Sequence, residues 1–321
     1  MKLATVVPLL WSVVLLAAPA IAETHWDLQA VDTDGVSTWS GSFPLEVTGV
    51  ILNNPEDMLD GTWDPDAATA PATMGAQWQI FVQGVTPDRC GTALWMGQNY
   101  SSLGPWIPAG NAYDQTAWTD EMTRLNYDGA HRLRAGDLVQ VTANKSLFYG
   151  GKRNINEAHR VDPANDFSID LITPGVGRPA PEVLTLADLY ADPDAPGYDP
   201  TYPMFDSSRA SGAEHYQGMY VRLNGLTFTD TGGWGQTAWD DRLCVVTDGL
   251  GRSLSLRMPL TDLGTAPTGR FDAFGIVNQE SGLGTNGRMG YELYVTSIVP
   301  EPATLAILAI GACACLKRRR T

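Results

Sequence analysis

The side chains with most to offer chemistry are few and scattered. His25, His131, His159 and His215 are the four histidines, and none is spaced with another His, Cys or carboxylate as a metal-ligand set requires. No H-E-x-x-H, G-x-S-x-G or phosphate-cradling glycine pattern occurs. "DTDG" (Asp32 to Gly35) and "DPDA" (Asp192 to Ala195) begin as calcium loops do. Both lack the later ligands and the closing Glu of such a loop and read as solvated turns. The expectation is a protein that is not an enzyme and holds no cofactor or metal.

Aromatic residues are the stronger signal. Ten tryptophans is a high count, and Trp63, Trp106, Trp118, Trp234 and Trp239 fall in loop-like contexts or beside glycine. Exposed Trp faces stack on sugar rings or on bases, and small β-barrels carry such faces on their binding side. Trp106, Trp118, Trp234 and Trp239 are therefore the candidate ligand platform. The competing reading makes the loop tryptophans caps on barrel ends, with Trp78 and Trp95, on predicted strands, filling a core. "NKSLFYGGKRN" (Asn144 to Asn154) sets Lys145, Lys152 and Arg153 around a Phe-Tyr hairpin. Such a cluster suits a polyanion, but three basic residues on a hairpin read better as a solvated edge that discourages strand pairing. Of the four cysteines, Cys313 and Cys315 lie in an apolar tail, which leaves Cys90 and Cys244 as a possible disulfide in an oxidising compartment.

The two ends carry addresses. Lys2 supplies a basic start, Val6 to Ala18 is near-continuously apolar, and Ala20 and Ala22 offer small residues before Glu23. That is a secretory signal peptide, to be cut by signal peptidase after Ala22. At the other end Ala303 to Leu316 is apolar all round and precedes Lys317, Arg318, Arg319 and Arg320. As a helix this run reaches only about 21 Å, short of the ~30 Å of a bilayer core, although the basic cluster can snorkel to cytoplasmic headgroups.

Val299, Pro300, Glu301 and Pro302, followed by that short apolar helix and terminal basic cluster, resemble the PEP-CTERM sorting signal of Gram-negative bacteria. The resemblance implies recognition by an exosortase and removal of the tail beside the Pro-Glu-Pro motif during export. It further implies secretion across the inner membrane, transient membrane association, and residence at the cell surface or in an extracellular matrix. Of the 21 Lys and Arg, five lie in the ends, against one of the 36 Asp and Glu. The exported stretch therefore carries a charge of about −19. A surface of that sign repels phosphate backbones, so nucleic acid is a poor default partner unless basic residues cluster locally, while the loop tryptophans point to extracellular polysaccharide as a partner.

The elements that must position these residues are strands. Gly and Pro, 33 and 21 of them, punctuate the chain, and long amphipathic helical runs are absent. "LEVTGVIL" (from Leu45), "QWQIFVQG" (from Gln77), "GTALWMGQ" (from Gly91), "AGDLVQVTA" (from Ala135) and "SLFYGGKRNINEA" (from Ser146) are five candidate strands. "MYVRLNGLTFTD" (from Met219), "RLCVVTDG", "RSLSLRM", "FDAFGIVNQ" and "MGYELYVTSI" repeat the scheme in the second half. A long Gly-bearing first strand, with an insertion between the third and fourth, describes an OB-type barrel. Both halves resemble the OB-like modules of bacterial secreted proteins, including those attached to extracellular nucleases. The expectation is a mostly β chain: signal peptide 1–22, an OB-like five-stranded barrel over 23–160, and a turn-rich linker over 161–181. A second such barrel over 182–298 and the sorting signal 299–321 complete it. Functionally this predicts a non-catalytic binding or structural protein, with carbohydrate binding, or descent from nuclease accessory domains, as alternatives.

Overall fold

The computed structural model describes residues 21–58, 77–281 and 286–301. The expected signal-peptide run, Ala20, Trp63, Pro302, the apolar tail with Cys313 and Cys315, and the basic residues Lys317 to Arg320 lie outside the described residues. Strand outweighs helix, 37% to 14%, as the punctuation by Gly and Pro predicts. Among the described residues no helix is long and apolar enough to cross a membrane.

After a short helix α1 (His25–Leu28), the first half builds one sheet from β1 (Leu45–Ile51), β2 (Gln77–Gly84), β3 (Gly91–Gly97), β4 (Leu138–Ala143), β5 (Ser146–Tyr149), β6 (Lys152–Ile155) and β7 (Phe167–Thr173). Their order is β7-β4-β1-β2-β3-β6-β5, and a two-residue strand at Ile21–Ala22 lies parallel to β1. Period-two alternation sets the faces. Trp78, Ile80 and Val82 of β2, Leu94 and Met96 of β3, and Val139 and Val141 of β4 enter one core. Helix α2 (Gln115–Asn126), in the insertion between the third and fourth expected strands, covers that core. Asp114 caps it by accepting from the Ala117 amide at 2.9 Å, and Trp118, Met122 and Leu125 form its buried stripe.

This first sheet is not shown to close. In the expected barrel one strand would pair parallel with β3 and antiparallel with β4. Here β6 takes the parallel place beside β3 and β7 takes the antiparallel place beside β4. With the duties split, β6 and β7 stand at opposite ends of the sheet order. The same finding corrects the linker, because β7 falls within 161–181 and is an integral strand of this sheet.

The second half does close. β8 (Tyr220–Asp230), β9 (Leu243–Thr247), β10 (Ser253–Arg257), β11 (Phe271–Gln279) and β12 (Tyr291–Pro300) run β8-β9-β10-β12-β11 and return to β8. The β10–β12 pair is parallel and the other pairs are antiparallel. This closed five-stranded barrel is compatible with the OB type. β8 serves both sides of the closure by bending at a register shift between Leu223 and Leu226, where Gly225 adopts φ +69°. Leu223, Leu226, Val246, Leu256, Phe271 and Leu293 fill the interior.

The two halves pack together through Leu52, Phe81 and Ala93 on one side and Tyr220, Ile276 and Tyr294 on the other. Arg242, fully buried, donates across this junction to the Met58 carbonyl (2.5 Å) and within its own half to the Met258 carbonyl (3.0 Å). The basic hairpin is a second joint at Lys152 and Arg153, while Lys145 stays exposed as a solvated edge would. Its turn glycines, Gly150 and Gly151, have φ +67° and +89°, and the Gly150 carbonyl accepts from the Ser281 amide at 3.1 Å. Lys152, 3% exposed, donates to the Gln279 carbonyl and to Glu280, each at 2.5 Å. Arg153 lies over the Trp39 ring at 4.6 Å and donates to Ser37 and Ser146.

Candidate functional site

β2, β3 and β6 turn one set of alternate side chains into the first core, so the opposite set faces outward. At one end of that outer face Phe81 and Ala93 meet the barrel. At the other end Gln77, Gln79, Trp95 and Asn154 face an open cleft of about 660 Å³. Register makes the set contiguous: Gln79 lies opposite Trp95, and Ala93 opposite Asn154. Leu103, Trp106 and Ile107, with Phe148 and Tyr149 of the hairpin, form walls on the side of the first sheet, while Trp239 and Glu280 contribute from the barrel half.

The floor is made of carboxamides. Gln77 Oε1 accepts from Trp95 Nε1 at 3.1 Å, which fixes that indole. Asn156 Oδ1 accepts from the Ala158 amide at 2.7 Å, and Asn154 Nδ2 reaches the Tyr149 carbonyl at 3.4 Å. Gln79, Asn154 and Asn156 are 4%, 7% and 2% exposed, yet all three line the cleft.

Trp106, 62% exposed, stands at the rim. A Cβ at Gly104 would come within 2.2 Å of the Trp106 ring, so that ring settles where only glycine leaves room. Trp239 is held from behind: the Arg257 guanidinium lies 3.8 Å from its ring centroid and donates to its carbonyl, and Glu292 grips Arg257 at 2.9 and 3.0 Å. Wall residues Ala158 and His159 both take left-handed backbone, φ +54° and +57°, an uncommon state for non-glycine residues that a surrounding structure must hold in place. His159 stacks on Tyr100 at 5.7 Å and meets Trp95 edge-on at 5.3 Å. Behind this wall Glu157, fully buried, accepts from Tyr100 at 2.8 Å and from Tyr113.

Electrostatically the cleft is close to neutral. Burial pushes His159 down to about 4, which keeps its imidazole uncharged at neutral pH. Burial, helped by the Glu280 charge, raises the Tyr149 phenol. Lys152 and Glu280 cancel within one ion pair. Glu280 is the single carboxylate among the described lining residues, so a flanking pair of the kind used in glycoside hydrolysis is not assembled there. What the arrangement can do is hold a ring against indoles and exchange hydrogen bonds with its hydroxyls.

Of the four tryptophans expected as a platform, Trp106 and Trp239 share this cleft. Trp118 is 0% exposed and belongs to the core beneath α2. Trp234 donates to the Gly264 carbonyl at 2.9 Å and packs edge-on against Phe228, which makes it a cover on the barrel. Trp95, expected in a core, lines the cleft instead, while Trp78 is in the core as expected. Sequence reasoning missed Gln77, Gln79, Asn154, Asn156 and Glu280. The signal for the first two was present, since "QWQIFVQG" alternates Gln with Trp and Ile.

Cys90 and Cys244 are free, buried thiols and not a disulfide. Cys90 sits at the mouth of β3 with Arg209 Nη2 at 3.0 Å from its sulfur, whereas Cys244 is inside the barrel core. Burial pushes the Cys90 thiol up to about 12 and that of Cys244 to about 11. The two acidic turns are Asx turns closed on themselves: Asp32 accepts from the amides of Asp34 and Val36, and Asp192 from that of Asp194.

The described part of the segment expected to be a sorting motif continues the barrel. Val299 and Pro300 end β12 opposite Asp272 and Phe271, and the Glu301 amide donates to the Arg270 carbonyl at 2.9 Å. Near the expected signal cleavage point, Ala22 pairs with Glu46, and the Glu23 amide donates to the Glu46 carbonyl at 2.9 Å. Compared with known protein families, with characterised proteins and with solved structures, the chain matches none.

Proposed function

We propose that this chain is an exported, non-catalytic protein of the cell surface or extracellular matrix that binds polysaccharide. The observation that carries the reading is the cleft, where Trp95, Trp106 and Trp239 stand over a floor of buried carboxamides. Aromatic faces match the apolar faces of pyranose rings, and amides match hydroxyls because both donate and accept. The two halves read as related OB-like modules, the second a closed barrel and the first an opened variant. The apolar leader, and the Val299 to Arg320 tail resembling a PEP-CTERM signal, support export by signal peptidase and exosortase.

Titration of intrinsic tryptophan fluorescence against a panel of neutral and acidic glycans tests the binding role. Saturable shifts are expected, with affinity lost by about tenfold or more in Trp106→Ala and Trp239→Ala. No shift with any glycan would overturn the reading. Mass spectrometry of the protein from cells with and without exosortase tests the address, and a C-terminus still ending at Thr321 in both would refute processing.

A further inference from the structure

We infer that the cleft takes an uncharged hexopyranose oligosaccharide and rejects uronate-bearing chains; this rests on the glycan reading above. The first support is unspent hydrogen-bonding capacity. Gln79 is 4% exposed and its side-chain amide makes no hydrogen bond among the described residues. Asn156 uses its oxygen on the Ala158 amide and has no described partner for its nitrogen. Asn154 uses its nitrogen on the Tyr149 carbonyl and has none for its oxygen. Their free atoms open on the cleft and are not sealed from solvent, so they are available to a ligand. All three line the cleft, so a ligand that enters it can complete them. Together they offer both donors and acceptors, which suits hydroxyls and does not favour a carboxylate, an acceptor only.

The second support is charge. A bound uronate needs a cation, and Lys152 is the single cation among the described lining residues. Lys152 is engaged by Glu280 and the Gln279 carbonyl, each at 2.5 Å. Drawing it away would leave Glu280 uncompensated beside the incoming carboxylate, and Lys152, its side chain 3% exposed, would give up the partner that offsets its burial. His159 is held neutral by burial and supplies no second positive charge. The exported chain adds a field of about −19 charges against any polyanion. An amino sugar finds no free anion either, because Glu280 is already paired with Lys152. The volume, about 660 Å³, lies in the range of sites that enclose ligands of a few rings.

Isothermal titration of the full chain at near-neutral pH, with cellohexaose and maltohexaose as neutral probes and alginate hexamers as the acidic probe, tests this. At least one neutral hexamer is expected to bind, and the alginate hexamer to bind about tenfold or more weakly. Gln79→Ala and Asn156→Ala are each expected to weaken the neutral ligand by up to about tenfold, the loss of one or two hydrogen bonds. Unchanged melting temperatures and near-ultraviolet dichroism exclude misfolding as the cause. Glu280→Gln, which leaves Lys152 without its carboxylate, is expected to narrow the gap between alginate and neutral hexamers. Tight alginate binding by the wild type, abolished in Trp106→Ala, would overturn the charge inference and leave the glycan reading standing. Binding of neither class overturns both. Neutral binding indifferent to Gln79 and Asn156 overturns the assignment of the floor.

Discussion

Replacing Glu157 with Gln removes a carboxyl that the fold keeps protonated. Burial pushes Glu157 up to about 8 from an ordinary value of 4.5, even though Tyr100 and Tyr113 donate to it. The folded state therefore holds a proton between those two values that the unfolded chain releases. The contribution to stability is fully present below pH 4.5 and is lost as pH rises through 8. At ~1.4 kcal/mol for each pH unit of that window, the loss is on the order of 5 kcal/mol. Gln keeps the shape, with an oxygen to accept from one tyrosine and a nitrogen to donate to the other's oxygen, and it cannot ionise. Urea denaturation at intervals from pH 5 to pH 9 is expected to show the wild type weakening steadily while Glu157→Gln weakens less. The variant becomes the more stable protein at the alkaline end by a few kcal/mol. Some slope remains in both, because burial also raises Glu214, to about 7. Parallel curves across the whole range would refute a protonated Glu157.

Opposite behaviour is expected on the acid side from His25, fully buried and pushed down to about 4. Its contribution is complete above pH 6.5 and is lost as pH falls through 4, so His25→Gln should flatten stability over that interval by roughly 3 kcal/mol, read by the same denaturation series. Arg242→Ala takes the guanidinium from the Met258 carbonyl and leaves the Met58 carbonyl to the Tyr294 hydroxyl alone, and should cost about 1–3 kcal/mol in urea unfolding; a cost under ~0.5 kcal/mol would mean that water replaces the guanidinium freely. Thiol titration in denaturant should find Cys90 and Cys244 both reduced, with no change in melting temperature on adding reductant, whereas a mass two hydrogens light would establish a bridge.

The parts of the fold legible in advance were those governed by local pattern. Leu45 to Ile51, Gln77 to Gly84 and Gly91 to Gly97 appear where alternation and turn residues put them. The Asn224-Gly225 break in the long first barrel strand is the bend that lets β8 pair with both β9 and β11. Helix α2 was not anticipated. Its stripe is only three residues, Trp118, Met122 and Leu125, set among Thr, Asp and Glu, and packing against Trp78 and Phe167 decides its state more than its own propensity does. Phe167 to Thr173 read as linker because Pro and Gly follow closely; pairing with β4 overrides that composition.

By itself, then, the sequence determined a β-rich chain with alternating strands and an acidic middle between an apolar N-terminal run and an apolar C-terminal run that ends in basic residues. Each depends on neighbours within a turn or a strand, where hydrophobic period and glycine's backbone freedom act. Tertiary structure decided which tryptophans share a cleft and that Trp118 does not. It also decided that Cys90 and Cys244 stay apart, and that Lys152 is neutralised by Glu280 from the other half of the chain. Those outcomes depend on long-range register and on how one sheet face docks against a barrel, and neither is written in the spacing of nearby residues.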